Sequence, residues 1–289
     1  NSAIFFSLIC LAEKSEEILL PKPYFPTYVS CAKSLDLKIN YYNLNAVDNF
    51  IPDNNEILEI LKKKKIKLVI FNNPGNPTGV KYEYKTILPI IKYCQDNGIF
   101  CIFDEVYFKT VFEGKKETIL HHISSLKNIC ILRSFSKEFF MTGFRVGYLI
   151  GDESFIQKIQ LTNETINSCL PPFIQIAASQ ALKLNYEDKY SKFQKIIQER
   201  RDLLFSGLTN ECNLECVKPN SSFYIFPKVP VSFKSDYSKY SSDLLHNHNI
   251  AVAPGVLFGD TFQNHIRMCY ASVNTENLYK TIEIMKKLI

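Results

Sequence analysis

The sequence predicts an α/β fold, a mostly parallel sheet between helices with a smaller C-terminal α+β domain. Three observations predict it. From Ser2 to Ile150, short apolar runs of strand length alternate with segments of helical periodicity, the pattern of a parallel sheet covered on both faces. After Tyr148 the order changes to three long helical segments followed by several short strand-like runs, as in a separate α+β unit. Polar residues of chemical interest also follow directly on the apolar runs, at the C-terminal strand ends where open α/β sheets bind ligands.

Taken in order, Ser2 to Glu13 reads as a helix with a largely apolar face, and Glu17 to Leu20 as a short strand. Pro23-Tyr24-Phe25-Pro26 breaks that strand, and a short helix runs to about Ser34. Leu37 to Tyr42 is a second strand. Glu56 to Lys64 is helical, because Ile57, Ile60 and Leu61 recur at i, i+3, i+4. Lys67 to Phe71 is an apolar strand followed by a loop, Asn72 to Gly79. The next helix carries Ile87, Ile90, Ile91 and Cys94 on one face and stops at Gly98. Ile99 to Phe103 and Ile129 to Leu132 are buried strands, and Phe144 to Ile150 is the next. Glu153 to about Ile166, Pro172 to Leu182 and Tyr186 to Leu208 are the long helices. Strands are expected at Cys212 to Val217, Phe223 to Phe226, Ile250 to Ala253 and His265 to Tyr270, and a closing amphipathic helix at Asn274 to Leu288. The domain boundary is expected near residue 184, giving a large domain over 1–183 and a small one over 184–289.

Composition bounds the function. The 289 residues are 46% apolar, enough for a large core, and 34 Lys+Arg against 29 Asp+Glu leave a mild net charge of +5. The one basic run, Lys62 to Lys67, sits at a helix end, where cations suit the macrodipole. No aromatic residues alternate with those lysines, so nucleic acid is not an expected partner. No apolar stretch is long enough to span a membrane. Nine cysteines, an odd number without a C-x-x-C pair, point to a reducing compartment and the cytoplasm. Cys212 and Cys216 lack a matching His pair, so no metal is expected. The chain starts without Met and directly in a helical pattern, and an upstream segment is expected to precede it.

One stretch, Arg133 to Gly147, carries the most chemistry. It sets Lys137 in a turn between two strands, behind Ser134 and Ser136 and eight residues before Arg145. A lysine there can form a Schiff base with an aldehyde, and the two serines and the arginine are donors that hold a phosphate. An aldehyde carrying a phosphate is pyridoxal phosphate (PLP). A solvated loop lysine is the competing reading of this stretch. Two further stretches lie at predicted strand ends. Asn73 to Gly79 fixes a tight loop with Asn76 at its polar tip, or is an ordinary turn. Asp104-Glu105-Val106-Tyr107 ends a buried strand with a carboxylate that needs a partner. A pyridinium N–H is one such partner, and a structural salt bridge is the other reading.

Together, N-P-x-N-P-T-G, D-E-x-Y, S-x-S-K and T-G-F-R-x-G-Y resemble the motif set of the class I/II PLP-dependent aminotransferases of fold type I, in the aspartate-aminotransferase-like branch. Pro23-Tyr24-Phe25 is similar to the family's aromatic motif, Ala253-Pro254-Gly255 with Phe258-Gly259 to its small-domain signature, and Ile266-Arg267-Met268 to its carboxylate-binding strand. The resemblance covers essentially the whole chain. It implies that Lys137 holds PLP, that Asp104 pairs with the pyridine nitrogen, and that Tyr107 and Asn76 hydrogen-bond the phenolic oxygen. It further implies that Phe25 stacks on the ring, that Ser134, Ser136 and Arg145 take the phosphate, and that Arg267 takes the substrate α-carboxylate. An amino acid and an oxo acid are then the substrates in ping-pong turnover, and the full-length protein is expected to be a homodimer.

The sequence also departs from the family. Counting back from Pro23 places Asn1 at the last position of the small-residue turn that cups the PLP phosphate. The rest of that turn, and the segment that closes the site and supports the dimer, would lie upstream. The chain as given is therefore expected to bind PLP weakly. Near Pro219 the family often has a glycine pair, whereas Asn220-Ser221-Ser222 stand here. No residue that reads a second substrate carboxylate is identifiable. The competing readings are another fold type I reaction, a C–S β-lyase or an aminocyclopropane-type synthase, and a truncated inactive homologue. Tyr107 disfavours the lyase, which often carries His at the matching position, and intact Lys137, Asp104, Tyr107 and Arg267 disfavour decay.

Overall fold

The computed structural model describes residues 1–229 and 237–288. Six strands form the principal sheet: β1 (Glu17–Lys22), β2 (Lys38–Asn43), β3 (Ile66–Asn72), β4 (Phe100–Asp104), β5 (Ile129–Ser134) and β6 (Gly147–Gly151). Their order is β2-β1-β3-β4-β5-β6, and every neighbouring pair is parallel except β5 with β6. The helix α1 (Ser2–Leu11) precedes β1, and the crossovers include α2 (Pro26–Ser34), α3 (Asn54–Lys63) and α4 (Leu88–Asp96).

The period-2 geometry of the strands explains why they read as continuous apolar runs. On β3, Val69 and Phe71 enter one core while Leu68 and Ile70 enter the other. On β4, Cys101 and Phe103 face one way and Phe100 and Ile102 the other. Ile57, Leu61, Ile90 and Cys94 from α3 and α4 cover the first face. Ile4, Leu8, Tyr28 and Ala32 from α1 and α2 cover the second, with Phe155. Truncating a fully buried strand residue such as Ile102 to Ala should cost about 2–5 kcal/mol.

Beyond β6 lie α6 (Glu153–Asn167), α7 (Pro172–Lys183) and α8 (Glu187–Ser206). Asp152 caps α6 by accepting from the Phe155 N–H at 2.9 Å, and a proline opens α7. A second, antiparallel sheet holds β7 (Tyr224–Ile225), β8 (Ala253–Pro254) and β9 (Ile266–Cys269) in the order β7-β9-β8. Its core takes Ile197 and Leu204 from α8, and Leu278, Ile282 and Met285 from α10 (Thr275–Lys287). Leu244 from α9 (Tyr237–His248) completes it.

Four expectations need correction. Lys137 lies not in an open turn but on a one-turn helix, α5 (Phe135–Glu138), because the Ser134 hydroxyl accepts from the Ser136 N–H at 3.2 Å and starts it. Arg145 is not in a strand: its φ of +53° is left-handed, so β6 begins only at Gly147. Cys212 to Val217 forms no strand. The chain runs on from α8 as a wide turn to Glu211, and Glu215 O meets only the single N–H of Lys228, at 2.9 Å. In the Ile250 to Ala253 stretch only Ala253 enters a strand. The helix α9 was not legible in its serine- and histidine-containing sequence, whose residues are indifferent helix formers.

Candidate active site

Three adjacent parallel strands end along one edge of the principal sheet. Asn72 closes β3, Asp104 closes β4 in register with it, and Ser134 closes β5. This edge opens onto a cavity of about 680 Å³ lined by Asn1, Phe25, Asn76, Asp104, Tyr107, Ser134, Ser136, Lys137, Arg145 and Arg267. Every residue given a cofactor or substrate role from the sequence thus borders one space. Tyr28 and Tyr224 also line it.

Asp104 is buried. Its Oδ2 accepts from the Tyr28 hydroxyl at 2.6 Å and its Oδ1 from the Val106 N–H at 3.3 Å. Burial pushes its carboxyl above the usual range, against the opposing pull of the Tyr28 hydrogen bond. No side-chain cation pairs with it among the described residues. The site therefore offers a buried carboxylate aimed at a cavity and short of a positive partner, which a pyridinium N–H fits.

The Asn76 loop is held from within. Asn72 Oδ1 accepts from the Asn76 N–H at 2.8 Å, while Asn72 Nδ2 donates to the Asp104 carbonyl at 3.2 Å. Asn73 pairs with both backbone groups of Tyr82, at 2.9 and 3.1 Å. These bonds replace strand pairing where the prolines remove donors. Gly79 has a φ of +70°, and a Cβ there would lie 2.2 Å from the Tyr224 carbonyl, so only glycine lets the two backbones meet.

Asn76 Oδ1 accepts from Arg267 Nη1 at 3.0 Å. The Arg267 guanidinium lies over the Tyr224 ring, 4.4 Å from its centroid, and 5.0 Å from that of Phe258. The Tyr107 hydroxyl donates to the Tyr224 hydroxyl at 3.1 Å. Burial, and then Tyr224, push the Tyr107 phenol well above its ordinary pKa. Tyr224 was missed from the sequence, although its place two residues after buried Ser222 on a strand facing Arg267 gives it contact with both groups.

At the other end, Arg145 Nη1 donates to the Thr142 carbonyl at 2.8 Å and to Ser136 Oγ at 3.4 Å. Arg145 remains exposed to the cavity and solvent. Two hydroxyls and a guanidinium form a donor set for a phosphate dianion. Phe25 stands at the N-terminal end of α2, edge-on to Tyr28 at 5.6 Å. Lys137 Nζ makes no hydrogen bond or ion pair among the described residues, so its amine is uncommitted at the cavity wall.

Glu105 has a different task from its neighbour Asp104. It is 1% exposed and takes a two-pronged pair from Arg133, at 3.0 Å from Nε and 2.5 Å from Nη2. It also accepts from Tyr84 at 2.7 Å and the Ile119 N–H at 2.8 Å. The Arg133 guanidinium stacks over Phe108 at 3.7 Å. This pair locks β4 to β5 one residue before Ser134.

Comparison with known proteins gives a consistent result. The family described as aminotransferase class I and II matches residues 1–285. A probable aspartate aminotransferase of Methanocaldococcus jannaschii is 33% identical, over 100% of this chain and 75% of that protein. An aspartate aminotransferase of Pyrococcus horikoshii is 29% identical, over 96% of this chain and 70% of its own length. The crystal structure of an aromatic aminotransferase from Pyrococcus horikoshii OT3 superimposes with a TM-score of 0.90 at 29% identity, covering 99% of this chain and 76% of that one.

Proposed function

The chain belongs to the class I and II aminotransferases, and we propose that Lys137 is the residue through which it works. The protein is a PLP-dependent transferase that moves the amino group of an α-amino acid to an oxo acid. PLP, when bound, supplies an electron sink for the negative charge left at the substrate Cα. The chain's own residues divide the remaining work. Lys137 would hold PLP through its amine as a Schiff base. With PLP bound, the Lys137 amine would stand beside the substrate Cα as the general base that takes its proton. Asp104 holds the pyridine nitrogen protonated. Tyr107 and Asn76 donate to the phenolic oxygen, and Phe25 covers the ring face. Ser134, Ser136, Arg145 and the Asn1 backbone take the phosphate. Arg267 binds the substrate α-carboxylate with a planar fork that a lysine lacks.

One observation carries this assignment. Lys137, Asp104 and Arg267, from three separate elements, border a single cavity, and each has the chemistry its part of the cofactor or substrate requires. Residues 1–183 are the cofactor domain and 184–289 the small domain. The protein works as a homodimer. Leu161, Ile166, Phe173, Ile176, Leu182 and Leu184 on and beside α6 and α7 are all more than half exposed, which supports a covering subunit. A cytoplasmic location accords with nine unpaired cysteines, and no described helix is long and apolar enough to cross a membrane.

Borohydride reduction of the PLP-loaded protein, digestion and mass mapping test the assignment. A pyridoxyl adduct is expected on the Lys137 peptide and absent from Lys137→Ala. An adduct on another lysine overturns it.

A further inference from the structure

Asn220 and Ser221 stand near Pro219, where the resembling family often has a glycine pair, and both make bonds that glycine cannot. Asn220 Oδ1 accepts from the Lys81 N–H at 2.6 Å, and its Nδ2 donates to the Lys81 carbonyl at 2.9 Å. One side-chain amide thus pairs both backbone groups of Lys81, as a neighbouring strand would. Ser221 brings two donors to the Gly79 carbonyl, its N–H at 3.0 Å and its Oγ at 2.8 Å. Ser221 is fully buried, so these bonds are shielded from water and from competition by it.

The same segment is tied to the strand of Arg267. Tyr270, one residue beyond β9 and fully buried, donates to the Ser221 carbonyl at 3.2 Å and the Ser222 carbonyl at 3.3 Å. Tyr224 pairs with Cys269 in the β7–β9 ladder. Asn76 and Arg267 are therefore joined twice. The direct link is their 3.0 Å hydrogen bond. The indirect one runs from the base of the Asn76 loop through Asn220 and Ser221 to β9. Asn220 does not line the cavity, so it can reach the chemistry only through these partners.

We infer that Asn220 and Ser221 are positioning residues for the substrate carboxylate, clamping the Asn76 loop to the Arg267 strand so that Asn76 fixes the direction of the guanidinium fork. This rests on Arg267 being the carboxylate-binding residue. The physical basis is the tolerance of a two-pronged pair. Productive geometry is held to within about 0.5 Å. The Asn76–Arg267 bond engages Nη1 of an arginine that lines the cavity.

The test compares an α-amino acid with the matching amine that lacks the carboxylate, using the PLP-loaded full chain. Asn220→Ala should lower kcat/KM for the amino acid by about a hundredfold, the scale of a 1 Å misplacement, mainly through KM. The amine should lose far less, and Asn220→Asp, which still accepts from Lys81 N–H, should recover part of the loss. Equal losses for both substrates, or none, overturn the proposal. Should Asn220→Ala fail to fold, Asn220→Asp and Ser221→Ala, which keeps the backbone bond to Gly79, are read for the same substrate split. Arg267→Lys separates the two assignments. If it leaves the amino acid and the amine equally affected, Arg267 is not the carboxylate residue and the clamp falls with it. If it discriminates but Asn220→Ala still takes its full toll in that background, the clamp alone is overturned. Supporting behaviour is no further loss from Asn220→Ala once Arg267 is lysine.

Discussion

Arg267 Nη1 donates to Asn76 Oδ1 at 3.0 Å across 191 residues of sequence. The bond joins a strand of the small sheet to a loop at the edge of the large one. It makes the site a property of both sheets together.

Arg267 itself gives the first prediction. Loss of a two-pronged charge pair in a desolvated site costs on the order of 2–5 kcal/mol. Arg267→Ala should therefore impair amino acids far more than simple amines in single-turnover measurements. A matched fall for both would mean that the arginine supports structure instead of binding the carboxylate.

A second prediction concerns Asp104 and pH. Burial raises its carboxyl pKa in the folded apoprotein, so the folded state binds the proton more tightly than the unfolded chain. Stability must then fall as pH rises from the ordinary carboxylate range through the raised value, and the full penalty is present above it. Asp104→Asn, which still accepts from Tyr28, should raise the Tm of the apoprotein at pH 8, with the gain vanishing in acid. The same variant should gain less Tm on adding PLP than the parent does. Calorimetry with and without PLP reads both effects, and a lower apoprotein Tm for the variant at pH 8 would sink the idea.

Glu105 is predicted to matter for stability more than for chemistry. Glu105→Ala would strand the buried Arg133 guanidinium, orphan the Ile119 N–H and leave Tyr84 only its 3.3 Å bond to the Asn73 carbonyl. Breaking one side of a buried pair costs about 3–5 kcal/mol, or roughly 10 °C in Tm. Replacing both partners together, as Glu105→Leu with Arg133→Met, should cost less than the single change. A Tm unchanged by Glu105→Ala would contradict the role.

Ser222 offers a stabilising substitution. It is fully buried at a φ of +65°, and its hydroxyl has no partner among the described residues. A left-handed non-glycine residue costs about 1–2 kcal/mol, and a buried unsatisfied hydroxyl about 1–3 kcal/mol. Against this, glycine gives the unfolded chain more freedom, worth about 0.5–1 kcal/mol. Ser222→Gly should raise stability by at least about 1 kcal/mol, the low end of the difference of these. Denaturant unfolding is the check, and a lower midpoint for the variant would show that the serine makes a bond that offsets its strain.

Much of this was legible in the sequence because it is local. Strand residues such as Val69 to Phe71 and Ile102 are apolar on both faces, and that alone announces a covered parallel sheet. Asp104 ends such a strand, and Asn76 and Lys137 follow within four residues of one, so knowing the strands is enough to set them along one edge. Local signals failed where long-range contacts decide. The stretch from Cys212 to Val217 has strand-like residues but no ladder partner. Arg145 follows an apolar-looking run, yet its left-handed backbone delays β6 to Gly147.

The sequence by itself determined the fold class, the family, and a set of residues that border one cavity, since motif spacing and side-chain periodicity are written along the chain. Only the tertiary structure decided what those residues touch. Asp104 and Glu105 are adjacent carboxylates, but alternation along the strand turns one to the cavity beside Tyr28 and the other to Arg133 in the core. Tyr224 and Asn220 acquire their partners from segments more than a hundred residues away. No periodicity encodes such meetings, because they depend on how the two sheets pack against each other.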